Sequence, residues 1–136
     1  MKCTPINPTD WAKSFLEHGD VVEGATRILT LSGQVSVIED ADAAFGVVAK
    51  HPNDMRAQMQ DVFAGIDTIL EQAGMTRRDL IHMRFFVTDM KAGLGNADVM
   101  MEWLGDLRPP QSFIGFSELF LPGLVIEIEV TAATSS

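Results

Sequence analysis

The chain has 136 residues, 46% of them hydrophobic and 21% charged, and its 19 acidic against 10 basic side chains leave a formal net charge of -9. That size and balance suit one globular domain able to bury about two thirds of its unfolded surface, and they exclude a disordered tail. So acidic a field repels phosphate backbones, which sets nucleic acid aside as a partner.

No window reaches the roughly 20 apolar residues that a membrane span needs, so no membrane is expected as a partner, and MKCTPINPTD lacks the apolar core of a signal peptide. Cys3 is the single cysteine, which suits a reducing compartment and makes the cytoplasm the expected address. No repeat or shift of composition divides the chain, so residues 1–136 read as a single domain.

From Asp20 to Val37 the sequence DVVEGATRILTLSGQVSV reads as two short β-prone runs joined by Glu23-Gly24, a hairpin signature. Gly33 ends the second run or puts a bulge in it. Pro52-Asn53-Asp54 then marks a helix start, with Asn53 or a neighbour capping and Asp54 favouring the positive end of the helix dipole. Met55, Met59, Val62, Phe63, Ile66, Ile69, Leu70 and Ala73 recur at the spacing of one helical face, and Gly74 is the stop.

Ile81 to Asp89 reads as a strand, with Ile81, Met83, Phe85 and Val87 on one face and His82, Arg84, Phe86 and Thr88 on the other. A second helix is expected from Asn96 to Leu107. Pro109 and Pro110 cannot donate to a ladder, so the next strand starts near Gln111 and runs to about Leu119. The last strand is LVIEIEVTA, Leu124 to Ala132, with Val125, Glu127, Glu129 and Thr131 sharing a face. The expected order is β-β-α-β-α-β-β, an α+β layer with both helices on one face of a mixed sheet.

The uncovered sheet face would then carry His82, Arg84, Phe86, Val125, Glu127 and Glu129, too mixed for a dry core and too apolar for plain solvent surface. Such a face suits a subunit interface or a cleft. His18, His51 and His82 stand more than thirty residues apart without HxxxH or HxH spacing, so no metal site is expected. Ser32 lacks the G-x-S-x-G frame of a nucleophile, and no glycine-rich phosphate motif supports a nucleotide cofactor. Glu127 and Glu129 lie about 6.5 Å apart along a strand, near enough for one to acquire a raised pKa suited to acid–base work, or for Arg84 to neutralise one of them.

At LSGQ (31–34), LEQAGM (70–75), FFVTDM (85–90) and EIEVTA (127–132) the chain resembles the RidA/YjgF family of small deaminases, in the right order and spacing from about Val21 to Ala132. The resemblance implies a chorismate-mutase-like α+β fold and a homotrimer with three clefts between subunits that bind a small-molecule metabolite. It implies cofactor-free hydrolysis of 2-imino or enamine acids to 2-keto acids and ammonia, since an imine carbon is already electrophilic. In the family a P-x-R-S arginine holds the substrate carboxylate and a glutamate of the closing E-I-E places and deprotonates water.

Carried over, Glu127 is the catalytic glutamate, and Ser32, Gly33 and Asn96 line the cleft. Gln111 stands in place of the arginine and Phe113 in place of a frequent cysteine, within Pro109-Pro110-Gln111-Ser112. The chain has no tyrosine, so Trp11 or Phe15 is left to fill the space of the family's cleft tyrosine. A neutral amide cannot neutralise a carboxylate, and Arg84 is the candidate substitute cation. Two functions follow: hydrolysis of an imine, enamine or related C–N bond with Glu127 orienting water, or a non-catalytic ligand-binding or regulatory trimer.

Overall fold

In the computed structural model, which describes residues 1–136, the helical periodicity becomes α1, Met55–Gln72. The Asp54 side chain caps it by accepting from the Ala57 amide at 3.0 Å, and Gly74, at φ +70°, turns the chain out of it. Met55, Met59, Val62, Phe63, Ile66 and Leu70 are buried on the inner face. Each such side chain contributes about 1.5–3 kcal/mol by leaving water.

Eight strands accompany it: β1 Lys2–Ile6, β2 Gly19–Glu23, β3 Arg27–Thr30, β4 Val37–Glu39, β5 Val47–Ala49, β6 Leu80–Val87, β7 Gln111–Gly115 and β8 Ile126–Thr134. The main sheet runs β3-β8-β6-β7. β8 is antiparallel to both β3 and β6, whereas β6 and β7 are parallel. That parallel pair requires a crossover, supplied by two helices, α2 Met90–Gly95 and α3 Ala97–Leu104. Met83, Phe85, Val87, Ile126, Ile128 and Val130 form one continuous core with α1 and α3. The mixed-sheet α+β class is as expected, with all helix packing on one face.

Several expectations are corrected. β2 and β3 do not form a hairpin across Glu23-Gly24: β2 pairs with β1, in the register Lys2↔Glu23 to Ile6↔Gly19. Gly24, at φ +76°, instead turns the chain from that ribbon into the main sheet. β1 carries no strand pattern in the sequence because Pro5 interrupts it, a residue tolerated at a sheet edge. β4 and β5, a further antiparallel pair, are three residues each and too short to show a period.

The helix expected over Asn96–Leu107 is the shorter α3, Ala97–Leu104, and α2, Met90–Gly95, precedes it without having been expected. α2 carries two glycines, which lower its propensity, yet Asp89 caps it at the Ala92 amide. A Cβ on Gly93 would lie 3.1 Å from Val87 Cγ1, so the glycine allows the close approach. β7 stops at Gly115 rather than Leu119 because β6 ends at Val87, leaving no partner beyond the Phe116 amide to Val87 carbonyl bond. β8 begins and ends two residues later than expected, its extension pairing with β3 at Ala133 and Thr134. In β6 a bulge between Leu80 and His82 removes Ile81 from the core face and puts Leu80 there.

Candidate functional site

The uncovered face of β6 and β8 aligns Arg84 opposite Glu129 and Phe86 opposite Glu127. Arg84 Nη1 donates to Glu129 Oε1 at 2.9 Å, so the available cation is committed to the outer of the two glutamates. Beside this pair lies a cleft of about 170 Å³ lined in part by Thr30, His82 and Thr131. Burial, followed by the charge of Arg84, pushes the His82 imidazole below its ordinary pKa, with Glu129 pulling the other way.

Glu127 is left without an ion pair or a hydrogen bond. Burial, and then the charge of Glu129, push its carboxyl above the ordinary carboxylate range. The cause of its seclusion is local. The Leu31 amide bonds Val130 O and the Gln34 amide bonds Ile128 O, three steps on one strand against two on the other, so one extra residue bulges out at Ser32-Gly33. The bulge brings Gly33 over the Glu127 side chain: a Cβ on Gly33 would lie 2.6 Å from Glu127 Cγ and closer still to the carboxylate. A side chain at position 33 and this carboxylate position exclude one another.

Gln111 and Phe113 lie on the other face. They pair with Met83 and Phe85 of the core side, while Ser112 pairs with Arg84 of the open side. At this edge β7, the α2–α3 junction and the turn before β2 enclose a largely apolar cavity of about 410 Å³ lined by Phe15, Leu16, Leu94, Ala97, Met100, Gln111 and Phe113. Phe113 stacks on Phe85 with ring centroids 4.4 Å apart. Gln111 is the one strongly polar side chain of that wall. Its Nε2 donates to the Phe15 carbonyl at 3.0 Å, while its Oε1 is closed to solvent and meets no donor.

One chain therefore divides the expected residues into two half-sites: Ser32, Gly33, Glu127 and Arg84 on the open face, Gln111 and Phe113 on the helix side. Asn96 joins neither. Its Nδ2 donates to Ala92 O at 2.8 Å, and its Oδ1 accepts from Arg56 at 3.4 Å. Met100, one helical turn on, faces the Gln111 cavity instead. Arg108 donates to the carbonyls of Ser14, Gly105 and Leu107, so its guanidinium is spent on backbone. Arg84 is cut off from Gln111 by the thickness of the sheet. Phe15 takes a cavity wall, whereas Trp11 is 77% exposed. Leu94 and Met100 had no signal as site residues, because their neighbours come from helix packing. No three His, Cys, Asp or Glu side chains converge into a metal-binding group.

Comparison with known proteins agrees with this architecture. The family model described as "Endoribonuclease L-PSP" matches residues 15–134. A RutC family protein of Aquifex aeolicus is 26% identical over 106 residues, 76% of this chain and 78% of that protein. A RutC family protein of Pyrococcus horikoshii is 29% identical over 108 residues, covering 79% and 80%. Among solved structures, the Rid-family protein of unknown function YyfB from Yersinia pestis superposes with TM-score 0.76 at 31% identity, covering 98% of this chain and all of that one. Rv2704 from Mycobacterium tuberculosis, of the YjgF/YER057c/UK114 family, shares the fold with TM-score 0.65 at 22% identity and covers 98% of this chain and 100% of that one.

Proposed function

The chain belongs to the endoribonuclease L-PSP family, the Rid or YjgF proteins, and from that premise we propose that it hydrolyses a C=N bond of a small imine or enamine in clefts between subunits of a homotrimer. The observation that carries the reading is the unpartnered Glu127 carboxylate beneath the Ser32-Gly33 bulge, its pKa raised by burial and by Glu129. A raised pKa makes a carboxylate a stronger base.

Glu127 takes a proton from water, whose oxygen adds to the imine carbon as the C=N electron pair moves to nitrogen. The proton held on the carboxyl passes to that nitrogen to give a carbinolamine; Glu127 then carries the hydroxyl proton to the amine, which leaves as ammonia while the carbon–oxygen double bond forms. Water and imine give a carbonyl compound and ammonia, and no external oxidant or cofactor enters.

The division of the site supports an assembly in which neighbouring copies share a cleft, as a homotrimer would provide. Gln111 and Glu127 are on opposite faces of one sheet, so a cleft that uses both draws them from two copies. The open face, with Phe86 and Arg84 opposite the glutamates, has the mixed character of an interface. The nuclease activity in the family description finds little support in a chain of net charge -9. A binding-only reading has one observation in its favour: Gln111 already holds the Phe15 carbonyl instead of waiting as a free donor.

Purified protein mixed with freshly generated 2-iminopropionate, 2-iminobutyrate and a panel of neutral imines, followed for carbonyl release, separates the readings. Turnover above background that vanishes in Glu127→Ala is expected; no acceleration across the panel leaves the binding-only reading. Gln111→Arg is expected to raise turnover of the imino acids over that of the neutral imines.

A further inference from the structure

Thr30, Thr131 and His82 stand side by side across three strands. Thr131 pairs with Thr30 of β3 on one side and with His82 of β6 on the other, so two hydroxyls and an imidazole share one face of the sheet. The next row along β6 and β8 sets Arg84 opposite Glu129. All of these side chains line the cleft of about 170 Å³. A cavity of about 150 Å³ suffices for benzene, so a group of about six heavy atoms has room here.

Little of this polar lining is used within the chain. Arg84 gives Nη1 to Glu129 Oε1 at 2.9 Å, which leaves Nη2 and Nε as free donors and Glu129 Oε2 as a free acceptor. Neither hydroxyl and neither ring nitrogen has a protein partner, and a neutral imidazole offers one N–H. The cleft therefore sets donors from Thr30, Thr131, His82 and Arg84 around a single carboxylate oxygen. That arrangement suits an oxyanion that still carries a proton: its oxygens accept from the donors, and its O–H donates to Glu129 Oε2. Phosphate keeps a proton at neutral pH. Sulfate keeps none, so its oxygen would meet Glu129 Oε2 as acceptor against acceptor, with the like charges unscreened by a hydrogen bond.

We propose that this cleft binds a protonated phosphate group, as the free anion or as the head of a small phosphate ester, and rejects sulfate. Every side chain it uses belongs to one chain, so the inference goes beyond the hydrolytic reading and needs neither Glu127 nor Gln111. Glu129, which holds Arg84 in place through one oxygen, supplies the selectivity through the other.

The probes are inorganic phosphate, methyl phosphate and sulfate, titrated into the full chain at fixed ionic strength and followed by calorimetry and by the histidine ring resonances. Of the three histidines only His82 lines the cleft, so its resonances should shift while those of His18 and His51 stay still, a readout that needs no variant to fold. Burial and then Arg84 hold the His82 imidazole below its ordinary pKa, with Glu129 opposing; a bound anion favours the imidazolium, so phosphate should move its titration to higher pH. Phosphate is expected to bind at least about tenfold more tightly than sulfate, the size of one hydrogen bond to a charged group. Methyl phosphate tells the two sources apart: binding at least as tight as that of the free anion makes an ester the ligand, and weaker binding makes it free phosphate. Repulsion by the acidic chain also disfavours the more highly charged sulfate, so the deciding variant is Glu129→Gln. There sulfate should bind more tightly than to the native chain, and the phosphate preference should fall to what repulsion alone contributes.

Thr131→Val, which keeps the shape of the side chain and removes one hydroxyl, should weaken phosphate about tenfold. Equal or tighter binding of sulfate to the native chain, a preference undiminished in Glu129→Gln, or an unmoved His82 resonance at millimolar phosphate would each overturn the inference. Phosphate binding that persists while no imine is turned over would sink the hydrolytic reading and leave this one standing.

Discussion

Gly33→Ala adds one methyl group where the bulge overlies Glu127. The new Cβ would stand 2.6 Å from Glu127 Cγ and nearer the carboxylate, against an ordinary carbon–carbon contact of about 3.5 Å or more. Something must move by roughly 1 Å, and the atoms in the way are the far end of a flexible side chain rather than backbone. Gly33 is absent from the glycines with positive φ, so alanine fits its backbone and removes unfolded-state freedom, a gain of about 0.4–1 kcal/mol. The displaced rotamer offsets that gain, leaving stability within about 1 kcal/mol of the parent. Misplacing a catalytic group by about 1 Å costs about 100-fold in rate.

The expected outcome is thus a folded protein whose kcat for imine hydrolysis falls about 100-fold, measured by carbonyl release alongside a thermal melt. A carboxylate pushed toward water also loses part of its burial, so the acidic limb of the pH–rate profile should move to lower pH. Unchanged kcat and an unmoved limb would refute the positional role of Gly33. A loss of fold would show that the bulge, not the carboxylate, is the element that cannot yield.

Three further outcomes are expected. Glu127→Gln should stabilise the chain at neutral pH. A carboxyl whose folded pKa is raised disfavours the fold once ionised, so the gain should shrink as pH falls through the folded pKa and vanish below the unfolded one, as read from denaturant midpoints across pH. Gln58→Ala should cost about 1–3 kcal/mol or more in the same assay, because the fully buried Gln58 accepts from the Val125 amide and donates to His51 O and Gly123 O, and that amide has no other partner. Light scattering should give three times the chain mass; a monomer would remove the cleft that joins Gln111 to Glu127.

The main sheet and helices were legible wherever one face had to be dry. The stripe from Met55 to Leu70 and the alternation of Met83, Phe85 and Val87 against Arg84 and Phe86 are written in local periodicity, because a helix or strand with one buried face must repeat its apolar residues at its own period. The Pro109-Pro110 corner before β7 was equally local, since neither residue has an amide hydrogen to give. Gln58 is the exception on the helix: a glutamine in an apolar stripe looks like an error of pattern until the loops at His51 and Gly123 close around it.

Partners distant in sequence were a different matter. That β2 pairs with Lys2–Ile6 and not with β3, that one extra residue at Ser32-Gly33 lays a glycine on Glu127, and that Arg84 chooses Glu129 all depend on register between segments up to a hundred residues apart. Register also sorts the site. Residue identity names Gln111 and Glu127 as candidates, but pairing Gln111 with Met83 and Glu127 with Phe86 sends them to opposite faces, because successive side chains of a strand alternate and a shift of one residue would exchange the faces. The amide's orientation at Gln111 has the same origin: only when the turn carrying Phe15 packs against β7 does its carbonyl claim the nitrogen and leave the oxygen without a donor.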